Sequence, residues 1–227
     1  MHGTPQVIVA CGLELEARIA RSANIPAICG AARAALLRDR LELGLSSGRT
    51  VGLVSFGLAG GLDPSLVPGT LVFADRVIGQ DRSWDADASW LGRLIAACDD
   101  ARSVRVAGRD VAVDTQQAKQ HLQSLTGASI VDMESHIVAE IAAKAGLPFA
   151  VIRAVADTAQ STLPSAALIP LQADGRPQIG RILLDLARRP GQMGELVSLA
   201  RASRAAASSL RRVVQMLGPS LGCPDFL

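Results

Sequence analysis

The chain has 227 residues, 49% of them hydrophobic, and a formal net charge of +2, enough apolar material for a sizeable core and too little charge for a polyanion-binding surface. Aromatic residues make up only 3% and Tyr is absent, so the core is aliphatic and the stacking platforms that hold single-stranded nucleic acid are excluded. Cys11, Cys29, Cys98 and Cys223 form no C-x-x-C pair, no apolar run is long enough to span a membrane, and the N-terminus lacks the basic stretch of a signal peptide; a reduced, cytoplasmic setting without a metal site is expected.

Val7–Ala10 reads as a short buried strand, followed by a helix over Leu13–Ala23 with Leu13, Ala17 and Ala20 on one face. Ala31–Leu43 reads as a second helix, ended by Gly44. Thr50–Phe56 is an apolar strand that runs into a glycine loop, Gly57-Leu58-Ala59-Gly60-Gly61. Leu71–Ile78 is the next strand, Gln80–Asp87 a polar exposed loop and Ala88–Cys98 a helix. Val104–Ala107 and Val111–Val113 are short strand candidates, and Gln116–Leu125 is a helix stopped at Thr126-Gly127. A strand to Val131, a helix to Ala145, a Gly146-Leu147-Pro148 turn and a strand over Phe149–Val155 complete the alternation.

Strands alternating with helices imply an α/β fold: three layers, α/β/α, around a central, mostly parallel (mixed) sheet. The last third differs. Arg181–Arg189 is a basic helix broken at Pro190-Gly191, and Glu195–Leu217 places Leu196, Leu199, Ser203, Ala206, Leu210, Val213 and Leu217 at steps of three and four. With no linker in view, residues 1–227 read as a single domain with a C-terminal amphipathic helical segment over about 178–217. The basic face of that segment (Arg201, Arg204, Arg211, Arg212) either stays in solvent on a packed helix, the commoner arrangement, or touches an anionic membrane surface.

Carboxylates follow three strand ends: Glu16 after the first, Glu134 after Ile130-Val131, and Asp157 after Phe149–Val155. Ligands of open α/β sheets bind at such ends, so this pattern points to acid–base work on a polar small molecule. Each residue has a plainer reading. The glycine loop could hold an anion or let a sugar approach, but alone it is better read as an ordinary tight turn. Glu134 could accept hydrogen bonds from neighbouring hydroxyls, with Met133 against the sugar, or it could serve a helix start that Asp132 caps. Asp157 could be an acid with a raised pKa or the partner of Arg153. Glu14 and Glu16 face different ways on a helix, and either alone reads as a solvated surface charge. His2 is terminal, His121 lies on a polar helix face, and His136 follows Glu134 at the helix start; no Ser–His–Asp grouping emerges.

Together these motifs resemble the purine nucleoside phosphorylase and nucleosidase superfamily. The matching pieces are Gly12-Leu13-x-x-Glu16-Ala17, Ser55 to Leu62, Pro68-Gly69-Thr70-Leu71-Val72, Val131 to Ser135 and Val151 to Asp157, in the family's order. Thr126-Gly127-Ala128, Asp132 to His136, Gly146 to Ala150 and Arg188 to Gln192 are similar to the hopanoid-associated phosphorylase branch, which removes adenine from adenosylhopane. The resemblance implies a phosphorylase/hydrolase-like fold and cleavage of an N-glycosidic bond. It implies that Asp157 protonates the purine at N7, Glu134 grips the ribose hydroxyls, Met133 lines the sugar and Glu16 activates water. Leu58, Ala59 and Gly60 would line the ribose and nucleophile side, and Val111 the purine. No metal or organic cofactor is implied; phosphate is the one candidate cosubstrate. Relatives carry Ser or Thr at the Leu58 position, and some phosphorylases have an arginine where Ser55 stands here. The standard phosphate cradle is therefore missing, with Arg18, Arg33 and Arg82 as candidate substitutes, and both hydrolysis and phosphorolysis stay open. The implied partner is a small nucleoside with an apolar tail, in a cytoplasmic homo-oligomer with peripheral contact at the inner membrane. The alternatives are a nucleosidase of soluble 5′-methylthioadenosine or S-adenosylhomocysteine, and a non-catalytic purine-binding protein.

Overall fold

The computed structural model describes residues 5–46, 48–224 and 226; His2 lies outside them. In chain order the elements are β1 (Gln6–Cys11), α1 (Glu14–Ser22), β2 (Ala27–Cys29), α2 (Ala34–Leu45), β3 (Thr50–Gly61), β4 (Leu71–Ile78), β5 (Ser83–Asp85), α3 (Ala88–Ala97), β6 (Arg102–Gly108), α4 (Gln116–Thr126), β7 (Ile130–Asp132), α5 (Ser135–Ala145), β8 (Phe149–Asp157), α6 (Ile179–Arg188) and α7 (Met193–Leu217). Short 3-10 turns lie at Ser165–Leu168 and Pro190–Gln192.

The strands form one mixed sheet of the three-layer α/β kind. β1 lies between β2 and β3, parallel to both. β3 pairs parallel with β8, β8 antiparallel with β4, β4 parallel with β6, β6 parallel with β7, and β7 antiparallel with the far end of β3. Those pairings close a ring, so the middle of the sheet curls on itself and leaves few free edges. Both faces are covered, which is why the central strands are continuous apolar runs. Val7 and Val9 of β1 face one core with Phe56, Ile152, Trp90, Leu210 and Val213. Ile8 and Ala10, one residue out of phase, face the other with Leu37, Leu53, Val106, Ile137 and Val151.

Five readings of the sequence need correction. Gly57 to Gly61 is not a loop: β3 continues through it, held by β8 and β7. Glycines mislead there because they serve close packing rather than a turn. Val111–Val113 is not a strand but irregular backbone. The polar stretch Gln80–Asp87 contains a short edge strand, β5, paired with β4, and β2 was too short to leave a periodic signal. The second helix starts at Ala34 rather than Ala31, because Ala31 and Ala32 both take a left-handed φ of 53°. It runs on through Gly44, where a Cβ would lie 2.7 Å from Ile28 Cδ1.

Trp90 of α3 is fully buried and its Nε1 donates to the Leu221 carbonyl at 2.7 Å, tying the end of the chain to the core. Trp90→Ala removes a large core side chain and that bond, and is expected to cost about 3–5 kcal/mol, read as a lowered denaturation midpoint; a loss under about 1 kcal/mol would show that the C-terminal segment packs independently of it.

Candidate active site

The site is assembled where β1, β3, β7 and β8 end. Its centre is Arg153 of β8, whose side chain is 0% exposed. The guanidinium Nε lies 2.8 Å from Asp132 Oδ2 and one terminal nitrogen 3.3 Å from Glu134 Oε2. Its terminal nitrogens also donate to Ser55 Oγ at 2.6 Å and to the Leu58 carbonyl at 3.2 Å. Burial works against the arginine's charge, but Asp132, Glu134 and Glu16 outweigh it and hold the proton more tightly.

The N-cap of α5 is Glu134 rather than Asp132, but the Asp132 carboxylate still serves the helix start, accepting from the backbone N–H of Ser135 at 2.9 Å and of Glu134 at 3.2 Å. Ser135 Oγ donates to Asp132 Oδ2 and shares a 3.0 Å hydrogen bond with Ser55 Oγ. One apolar strand end thus delivers a helix cap and the next residues of the site together.

Glu16 is 2% exposed, so the reading of it as a solvated surface charge is wrong; Glu14, half-buried, is the one that meets the exposed Arg18 and Arg21. Glu16 Oε2 accepts from the backbone N–H groups of Gly12 and Leu13 at 3.0 and 2.8 Å, and Oε1 from that of Leu58 at 2.7 Å. Burial nevertheless pushes its carboxyl up, against the pull of Arg153 and those three N–H groups. Glu134 is pushed up to about 8, first by burial and then by Asp132 and Glu16, with Arg153 opposing. Two glycines make room: a Cβ on Gly12 would run into the Glu134 carboxyl, and one on Gly57 into Glu16 and Arg153.

Asp157 does not pair with Arg153, as one reading of the sequence had it. It pairs with Lys119 of α4, a buried residue that the sequence reading missed. Burial raises the Asp157 pKa and Lys119 opposes it. Lys119 could have been noticed as one of only two lysines in the chain, placed three residues before Leu122 on the buried side of its helix.

Every candidate residue reaches one cavity of about 270 Å³: Glu16, Leu58, Ala59, Gly60, Val111, Met133, Glu134 and Asp157 all line it. Leu13, Ala32, Leu163, Ala167 and Leu199 supply apolar wall. Val111 sits at the rim, 71% exposed. Among the described lining residues the charged ones are all carboxylates; none is Arg or Lys. The three substitute phosphate ligands lie elsewhere: Arg18 pairs with Glu14, Arg33 donates to the Leu171 carbonyl at 3.3 Å, and Arg82 borders a separate cleft with Trp84 and His136. His136 there meets Asp110 at 3.0 Å and does not line the carboxylate cavity. Among the described residues no cluster of His, Cys, Asp and Glu could hold a metal ion, and no helix is long and apolar enough to cross a membrane.

Folding raises the Glu134 pKa from 4.5 to about 8. Its stabilising contribution is therefore complete below about 4.5 and is lost as the pH rises through about 8. Burial shifts Glu16 and Asp157 in the same direction. The ligand-free protein is expected to lose stability across that window in denaturant titrations, and Glu134→Gln to flatten the slope; a stability that rises over the same window would contradict the burial argument.

A model of the phosphorylase superfamily matches residues 1–186. No curated protein matches the chain. Among solved structures, a 5′-methylthioadenosine/S-adenosylhomocysteine nucleosidase from Neisseria meningitidis, in complex with methylthio-immucillin-A, superposes with a TM-score of 0.70 at 14% identity, over 93% of this chain and 98% of that one. The futalosine hydrolase of Helicobacter pylori gives 0.68 at 15%, over 96% and 98%. An S-adenosylhomocysteine nucleosidase from Streptococcus pyogenes, in complex with 5-methylthiotubericidin, gives 0.66 at 16%, over 92% and 95%. At these identities the likeness is one of fold.

Proposed function

The chain belongs to the phosphorylase superfamily, and from that premise we propose that it hydrolyses the N-glycosidic bond of an adenine nucleoside with an apolar 5′ substituent. One observation carries the reading: Glu16, Glu134 and Asp157 face a single cavity whose described lining holds no cation. A ribosyl group that becomes positive as its bond breaks is stabilised among those carboxylates. A phosphate dianion in the same space is repelled by them, so water is the better nucleophile.

In this mechanism Glu134 accepts hydrogen bonds from the ribose hydroxyls, and Met133 packs on the sugar. Asp157 gives a proton to N7 as the electrons of the C1′–N9 bond pass to the base, and adenine leaves neutral. Water adds to C1′ and its proton passes to Glu16, whose two oxygens are already fixed by backbone N–H groups. Leu58 offers the ribose side an apolar side chain while its N–H orients Glu16.

The finer reading is adenosylhopane. The apolar wall of Leu13, Leu163, Ala167 and Leu199 suits a hydrocarbon 5′ group. Outside it, Ile179, Leu183, Leu184, Met193 and Val197 are exposed on α6 and the start of α7, near Arg181 and Arg188. An apolar strip flanked by arginines fits peripheral contact with an anionic membrane that would present such a substrate. The exposed rim at Val111 fits a cavity completed by a second copy of the chain. The nucleosidases whose fold it shares favour a second reading, in which the substrate is soluble 5′-methylthioadenosine or S-adenosylhomocysteine.

The test is adenine release from adenosylhopane in detergent and from the two soluble nucleosides, each with and without phosphate. Equal release without phosphate, on adenosylhopane first, is the expected result. Dependence on phosphate would overturn hydrolysis, and release only from the soluble nucleosides would overturn the hopanoid substrate. Asp157→Asn and Glu16→Gln are each expected to lower kcat about 100-fold or more with the protein still folded; an Asp157→Asn variant with unchanged adenine release would remove the acid assignment.

A further inference from the structure

Lys119 is a buried charge beside the cavity that the mechanism above leaves unused. It is 0% exposed, with three acceptors around Nζ: Asp157 Oδ2, the Thr158 carbonyl at 2.8 Å and the Ser161 carbonyl at 3.1 Å. Three acceptors match the three hydrogens of an ammonium group. This side chain sits beside the carboxyl that has to deliver a proton to the leaving base. An ammonium at that distance favours the carboxylate form of Asp157, the form with no proton to give.

We propose that Lys119 is the proton reservoir of the reaction: a positioning residue that acts through Asp157 and keeps one transferable proton at the leaving-group side of the cavity. The inference rests on the reading of Asp157 as the acid. The geometry suits a relay. Asp157 lines the cavity beside Gly60, and its Oδ2 also holds Lys119. As the C1′–N9 bond breaks, its electron pair goes to the adenine ring. Oδ2 takes a proton from Nζ, and N7 takes a proton from the carboxyl. The pair passes from ammonium and carboxylate to amine and carboxylate, and the positive charge it gives up appears on the ribosyl group. Charge is conserved within the cavity, and the pair turns net negative when the sugar turns positive.

Refilling has a route. A second cavity of about 540 Å³ shares Asp157 with the first; Thr158, Gln160, Ser161 and Thr162, from the segment whose carbonyls hold Lys119, line one side, and Glu195 and Ser198 of α7 add a carboxylate and a hydroxyl. The charged groups nearest this pair act elsewhere: Arg153 serves Asp132 and Glu134, and Glu16 is held by backbone N–H groups, so Lys119 is the charge that acts on Asp157. The only other titratable side chain of α4, His121, is exposed.

The experiment compares wild type with Lys119→Met, and with Lys119→Gln as the polar substitute should Met not fold, from about pH 5.5 to about pH 9. Each is assayed on an adenine nucleoside and on nitrophenyl riboside, whose leaving group departs without a proton. Without Lys119 the transferable proton sits on Asp157 alone. The variant's kcat on the adenine nucleoside should stay within a few-fold of wild type at about pH 5.5. Above the variant's Asp157 pKa it should fall about tenfold per pH unit relative to wild type. Cleavage of nitrophenyl riboside should show no such added slope. A constant ratio of variant to wild type across pH, or the same pH slope on both substrates, would reduce Lys119 to a structural tie and overturn the proposal. Absence of adenine release by wild type from any nucleoside would instead overturn the reading of the function, so the two failures are told apart by the wild-type assay.

Discussion

One buried guanidinium holds the site together. Arg153 is without solvent contact, and the groups that repay its burial come from other parts of the chain: Asp132 and Glu134 at the end of β7, and Ser55 and the Leu58 carbonyl on β3. Taking the arginine alone out of water would cost several kcal/mol, as would taking out any of the carboxylates alone. They can be buried only together, so the strand ends must meet before any of them is satisfied. The same bargain is incomplete by design. Arg153 is shared by Asp132, Glu134 and Glu16; burial, joined at Glu134 by its neighbours Asp132 and Glu16, pushes Glu134 up to about 8, and burial pushes Glu16 upward. A cavity built this way favours a positive partner, which the proposed reaction would supply at the ribosyl group.

The alternation of strands and helices was legible because both faces of the sheet are covered, so strands such as Val7 to Ala10 and Phe149 to Val155 are unbroken apolar runs. The glycine-rich end of β3 was not, since glycine signals a turn and a tight approach alike. Here the approach is by side chains: Glu16 and Arg153 occupy the space that a residue at 57 would claim. β5 and β2, three residues each, are too short for periodicity to register.

The site divides in the same manner. Glu134 and Asp157 were visible as carboxylates following apolar strands. Glu16 in isolation looked like a surface charge, because local helical spacing carries no record of the backbone N–H of Leu58, 42 residues away, that helps hold it. Arg153 was visible but given the wrong partner, since the β3–β8 register that turns it toward Asp132 is a tertiary fact. Lys119 left only a weak trace, a lysine on the apolar side of a helix whose other polar residues face water.

Helix α7 has two occupations along its length. Leu199 and Ser203 form part of the cavity wall, whereas Ala206, Leu210, Val213 and Val214 lie in the core. Its 25 residues run without a break between the two. A rod anchored at one end in close-packed core cannot bend locally to fit a larger occupant at the other. Room on this wall is set by the length of two or three side chains rather than by movement of the backbone. Shortening Leu199 would therefore enlarge the cavity while leaving the anchored half undisturbed, so the size of the cavity can drift in evolution without drawing on the stability of the fold.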